Sequence, residues 1–278
     1  RGKALSLGRF GKFEESLKCY DKALELDPKY TVAWDEKGIV LAQLGKNEES
    51  LKCYDKVIEL DPKNVDVLYG KAIAFSRLNR HEESIKCCDK AIELDPKYAP
   101  AWDAKGHALY QLQKYEEALK CFEKAIEVDP KFALSWTNKG VMLSDKFEYE
   151  EAIKCFDKAI ELGTSKGQLE GHESALAWFN RGRAFSLGFK NFKESLKCYE
   201  ESIKKNPTVV IAWNNMADSL LNLDRFDEAL NTINKALEID KTVSTCWCTK
   251  GEILQKLGRD DEAKECFARE MEIKTMHY

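Results

Sequence analysis

The sequence predicts an all-α solenoid of about eight stacked helix–turn–helix hairpins, and three observations carry that prediction. A nearly unchanged segment recurs: ESLKCYDKALELDP (Glu15–Pro28) returns 34 residues later as ESLKCYDKVIELDP (Glu49–Pro62). All six tryptophans (Trp34, Trp102, Trp136, Trp178, Trp213, Trp247) fall in one column, with Leu68 in the place of a seventh. Small residues hold two more columns. Gly38, Ala72, Gly106, Gly140, Gly182, Ala217 and Gly251 stand four residues past the tryptophan place, and Ser50, Ser84, Ala118, Ala152, Ser195, Ala229 and Ala263 follow twelve or thirteen later.

In order, the units run 1–30, 31–64, 65–98, 99–132, 133–174, 175–209, 210–243 and 244–278, one solenoid over 1–278. In the second unit Trp34, Gly38, Leu41 and Leu44 mark one face of a first helix, A. Leu51, Tyr54 and Ile58 mark one face of a second, B. Gly45 between them suits a left-handed C′ position, with Asn79 and Gly258 as counterparts. Asp61 precedes Pro62 and is pushed out of helical geometry, which ends helix B. Gly38 and Ser50 remove bulk where A faces B, so the backbones approach beneath Trp34 and Tyr54. One hairpin cannot bury its own apolar face, and stability therefore comes from stacking. GTSKGQLEG (Gly163–Gly171) belongs to an eight-residue insertion and reads as a flexible loop near 163–174.

These columns resemble the tetratricopeptide repeat family over nearly the whole chain, in the manner of prokaryotic-type scaffold members. The resemblance implies a right-handed α-solenoid with a concave side lined by A helices. It also implies a non-enzymatic protein–protein interaction scaffold, binding an extended peptide or a partner helix in that groove. The alternative is the regulatory or substrate-recruiting module of a larger enzyme. Arg1 aligns with Arg181, partway through helix A, and no polar capping helix follows MEIKTMHY; the chain reads as a segment of a longer one.

Charge and motifs exclude other classes. The net charge of −4, from 44 basic and 48 acidic residues, lacks the basic excess a nucleic-acid footprint needs. No apolar run reaches the roughly 18 residues of a membrane span and no signal peptide is present, so the chain reads as cytoplasmic. The four histidines are scattered, HEESI from His81 lacks a second histidine, and GTSKGQLEG lacks phosphate-loop spacing. No catalytic set, cofactor or metal is expected.

Seven of the ten cysteines (Cys19, Cys53, Cys87, Cys121, Cys155, Cys198, Cys266) share a column of helix B. Equivalent points on successive repeats lie about 8–10 Å apart, too far for a disulfide, which needs Cα atoms within about 7 Å, and too far for a shared zinc ion. They read as small buried hydrophobes. A basic column in helix A (Lys37, Lys71, Lys105, Lys139, Arg181, Lys250) has the helix-B acids Asp55, Asp89, Glu123, Asp157 and Glu200 as candidate partners, matched within a unit. Ala268 opposite Lys250 breaks the match.

Function is expected in the groove. Asn138, Asn180 and Asn215 each stand two residues past a tryptophan in three successive units. A primary amide both donates and accepts, so it can hold a peptide backbone whatever its side chain. This resembles the asparagine ladder of some peptide-binding members of the family. Phe179, Arg183, Asn214 and Asp218 are neighbouring candidates, with Tyr69, His107 and Tyr110 further toward the N-terminus. The family's carboxylate clamp does not fit: its places read Asp35 with Ile39, Tyr69 with Ile73, Asp103 with His107, and Thr137 with Val141. Asp35, Asp66 and Asp103 point instead to neutral or basic ligands for the N-terminal groove. Neither the partner's identity nor the oligomeric state is readable.

Overall fold

A computed structural model describes residues 12–166 and 171–276 of the protein. These residues form fifteen α-helices and no strand: α1 (Phe13–Leu26), α2 (Thr31–Gln43), α3 (Asn47–Leu60), α4 (Val65–Arg77), α5 (His81–Leu94), α6 (Ala99–Gln111), α7 (Tyr115–Val128), α8 (Ala133–Asp145), α9 (Tyr149–Lys166), α10 (Gly171–Phe189), α11 (Phe192–Lys205), α12 (Val210–Asn222), α13 (Phe226–Ile239), α14 (Ser244–Lys256) and α15 (Asp260–Met276). Even-numbered helices are A helices and odd-numbered ones B. The chain divides into two compact units, Arg1–Ser135 and Trp136–Tyr278, described separately below. Within each, A helices pack on the B helices before and after them, and also touch one another: α2 with α4, α4 with α6, α10 with α12, α12 with α14. The expected start partway through a helix at Arg1 lies outside the described residues.

The small columns do what their positions require. A Cβ on Gly106 would stand 2.7 Å from Phe122 Cε1, and equivalent clashes arise at Gly38 with Tyr54, Gly140 with Phe156, Gly182 with Tyr199, and Gly251 with Phe267. The two units with alanine in this column, at Ala72 and Ala217, carry Cys88 and Ile233 where the others carry a ring. Glycine appears wherever an aromatic ring lies against helix A, and alanine where it does not. On the facing side Ser50, Ser84, Ala118, Ala152, Ser195 and Ala229 are fully buried.

Helices A and B join through a left-handed residue each time: Gly45, Asn79, Gln113, Phe147, Lys190, Asp224 and Gly258 all have φ between +49° and +75°. Lys46 N–H donates to the Leu41 carbonyl and Gly45 N–H to Ala42, the Schellman pattern. Only two of the seven are glycine, and the other five carry the strain of a Cβ in that region.

At the other junction Asp61 is extended (φ −138°, ψ 87°). Its carboxylate, like those of Asp27, Asp95 and Asp129, accepts the N–H two residues on, at 2.9–3.3 Å. The tryptophan column then closes the junction. Trp34 Nε1 donates to the Pro28 carbonyl at 2.9 Å, Trp102 to Pro96 at 3.0 Å, Trp213 to Pro207 at 2.8 Å, and Trp247 to Lys241 at 2.9 Å. Each indole ties its own helix A to the turn that delivered it.

The basic column finds its acids in the preceding unit, not its own. Lys37 pairs with Asp21 at 2.7 Å, Lys71 with Asp55, Lys105 with Asp89 at 2.6 Å and Arg181 with Asp157 at 2.6 Å. The within-unit matching is thereby corrected. Helix A lies against the B helix before it on this side, so each pair bridges two hairpins. Under this register the neutral counterpart of Lys250 is Asn234, and Ala268 is irrelevant. Lys37, Lys71, Lys105 and Arg181 also lie near the cysteine of their own hairpins, Arg181 Nη1 reaching Cys198 Sγ at 3.0 Å.

All ten cysteines are thiols rather than disulfides, and eight are buried. Burial pushes the Cys53, Cys121 and Cys246 thiols up to about 11. Of the loop expected near 163–174, only the flanks are described. Helix α9 continues to Lys166 and α10 begins at Gly171, leaving 167–170 outside the described residues. Gly163-Thr164 stands where four other B helices have Asp-Pro, so no proline forces the chain out of helical geometry there.

Candidate functional site

The A-helix face is built from columns one, two, five and nine residues past the tryptophan place, which share one side of each A helix. In the first unit this face is acidic. Asp35 is half-buried; burial, with Glu36 and Asp66 nearby, pushes its carboxyl up to about 6. Asp66 accepts from Tyr98 Oη at 2.7 Å, and Tyr98 meets Tyr69 edge-on with ring centroids 6.0 Å apart. Asp103 is buried and accepts from Ser135 Oγ at 2.7 Å, so it serves the interior. His107 is exposed and its Nε2 lies 3.5 Å from Gln111 Nε2. Tyr110 stacks edge-on with Tyr115 at 5.7 Å.

In the second unit the face is amide-rich. Phe179, Asn180 and Arg183 lie on α10, with Asn214, Asn215 and Asp218 on α12. Asn180 is buried: its Nδ2 donates to the Leu176 carbonyl at 3.0 Å, while Oδ1 accepts from Arg183 Nη1 at 3.4 Å. The Arg183 guanidinium lies 5.9 Å over the Phe179 ring, and no carboxylate among the described residues pairs with it. Beneath them Tyr199 is buried; burial raises its phenol, Asn215 and Arg183 oppose that rise and Asp218 adds to it. Burial also raises the Asp218 carboxyl. Asn214 Nδ2 reaches Asn215 Oδ1 at 3.4 Å, but Asn214 Oδ1 is buried without a partner. Asn138, on α8, is half-buried. Leu176, Leu187 and Ile211 are exposed on α10 and α12, at 38%, 60% and 42%.

A cavity of about 220 Å³ opens between α8 and α10. Val141, Ser144 and Phe147 line one wall, and Asn180, Arg183 and Leu187 the other. Sequence reasoning found two of these six. Leu187 could have been found: among the described residues its column otherwise reads Gln43, Arg77, Gln111, Asp145, Asn222 and Lys256, all polar. Phe147 is likewise the one large apolar residue among the left-handed turn positions.

Among the described residues no group of three His, Cys, Asp or Glu side chains could hold a metal ion, and no helix is long and apolar enough to cross a membrane. Family models for the tetratricopeptide repeat match residues 2–30, 38–79, 65–98, 99–132, 133–162, 198–231 and 244–274. No curated protein matches the chain. Among solved structures it is similar to the Cut9–Hcn1 hetero-tetramer of APC/C (14% identity, TM-score 0.72), over 94% of this chain and 50% of that one. It is also similar to PilF of Pseudomonas aeruginosa (19%, TM-score 0.65, 73% and 88% covered) and to MamA (23%, TM-score 0.51, 60% and 97% covered). At these identities the likeness speaks for the fold.

Proposed function

The chain belongs to the tetratricopeptide repeat family, and on that premise we propose that it is a non-catalytic scaffold holding an extended peptide or a helix of a protein partner along the A-helix face of its second unit. A single group carries the reading. Asn214 is 7% exposed, yet its Oδ1 has no hydrogen-bond partner. An orphaned buried acceptor costs about 1–3 kcal/mol, and turning the Asn214 amide outward to accept a backbone N–H from a peptide laid across α12 satisfies it. Exposed Leu176 and Ile211 flank that path and supply apolar contact. The amides divide the work: Asn180 is committed to Leu176 and Arg183 and orients the face, whereas Asn214 and Asn215 meet the ligand. Ten thiols suit a reducing compartment such as the cytoplasm.

The test is affinity capture with the intact chain and two variants. Ile211→Lys with Leu176→Lys changes exposed residues of the A face; Lys197→Ala with Lys204→Ala changes exposed lysines of helix B. A specific partner is lost from the first variant and retained by the second. Retention by the first would remove the A face from the account. Alanine at Asn180 is a poor probe, because losing its buried hydrogen bonds costs about 1 kcal/mol or more of stability.

A further inference from the structure

We infer that the cavity between α8 and α10 is a side-chain pocket for an acidic partner segment, taking one aromatic or branched aliphatic residue and pairing Arg183 with a carboxylate two residues away. The inference rests on the A-face reading above and adds the partner's chemistry. Two departures from the repeat converge on this one place. Leu187, 60% exposed, is the only apolar residue in its column among the described residues, and Phe147, 77% exposed, occupies a left-handed turn position that elsewhere carries glycine or a polar side chain. Phe147 meets Tyr149 edge-on at 6.2 Å, yet both departures leave apolar surface in water, and both line the cavity. At about 220 Å³ it exceeds the roughly 150 Å³ that accommodates benzene in an apolar cavity.

The polar groups in the walls are short of acceptors. Ser144 Oγ is buried with no hydrogen-bond partner. Arg183 contributes one long hydrogen bond to Asn180 and pairs with no described carboxylate, leaving most of its five N–H donors unused. Donors without acceptors beside an apolar recess complement a carboxylate attached to an apolar residue. Asp145 also stands at the mouth, but it is exposed, and solvent screens its opposing charge. In an extended peptide, residues two apart face the same way about 6.6 Å from one another. Phenylalanine in the recess therefore puts an acid at the second position onto the guanidinium.

The probes are capped heptapeptides in a glycine–serine frame carrying phenylalanine and glutamate two residues apart, with glutamine-for-glutamate and alanine-for-phenylalanine controls. They are titrated into the full chain and followed by amide shifts. The phenylalanine–glutamate peptide shifts residues 141–147 and 180–187, and each control binds about fivefold more weakly or worse. Arg183→Met makes glutamate and glutamine peptides bind alike, Arg183→Lys keeps part of the preference, and Leu187→Ser weakens all three. Equal binding of glutamate and glutamine peptides to the unaltered chain would overturn the inference. So would shifts confined to α12 and α14, although these would leave the A-face reading standing. Failure of the capture experiment would remove that reading by itself.

Discussion

Gly106→Ala sets two known effects against each other. In an exposed helix the change stabilises by about 1 kcal/mol, because alanine is the better helix former. Here the new Cβ stands 2.7 Å from Phe122 Cε1 and 2.9 Å from Cδ1. The ring is 2% exposed and has nowhere to withdraw. Overpacking of a filled interior costs about 1–3 kcal/mol, so the net expectation is destabilisation by about 1 kcal/mol. Phe122→Ile alone leaves unfilled space and costs about 1–2 kcal/mol. The double variant reproduces the Ala217 and Ile233 combination already present in this chain, so it should fall short of the sum by about 1 kcal/mol or more. Thermal melts resolve this at about 2–4 °C per kcal/mol. Hydrogen exchange in α6 and α7 localises it, since repeat proteins open in segments. A neutral or stabilising Gly106→Ala, or strict additivity in the double variant, would refute the pairing of glycine with ring.

Further expectations follow from the junctions and charges. Asn234→Asp gives Lys250 the acid that the other bridges have; it should raise stability by about 0.5 kcal/mol in low salt, a gain that melts in 1 M salt no longer show. Lys190→Gly relieves a left-handed φ of +49° and should stabilise by about 0.5–1 kcal/mol in denaturant titration. Asp35 has a raised carboxyl, so the folded state holds its proton more tightly than the unfolded chain. Its contribution to stability therefore grows as pH falls from about 6 toward 4. Asp35→Asn should raise stability at pH 7.5, by about 1 kcal/mol after allowance for solvent screening, and bring no gain at pH 4, as thermal melts at the two pH values read.

The hairpins and the glycine column were legible because each rests on contacts repeated at a fixed spacing. Gly38 against Tyr54 and Asp61 before Pro62 are local or nearly so, and 34-residue periodicity multiplies the signal. The acid partners of the basic column were matched one unit too late. Sequence spacing alone does not say whether Lys71 meets the helix before it or after it, and the chain offers an acid in both places. The tryptophan column was visible as a pattern, but its hydrogen bond to the proline carbonyl depends on a backbone turn that no side chain announces. In the candidate site, Asn180 and Arg183 were found by column. Their commitment to each other, and the orphaned Asn214 oxygen, depend on rotamers and burial. The missing Asp-Pro at Gly163-Thr164 was readable as a signal for helix continuation, but the glycines of the insertion masked it.

The central claim is that partners are held on the A-helix face of the second unit. Hydrogen exchange on the chain bound to its captured partner tests that claim most directly. Protection is expected in α8, α10 and α12, over residues 137–144, 176–187 and 211–218, with α9, α11 and α13 unchanged. Protection confined to those B helices would contradict it.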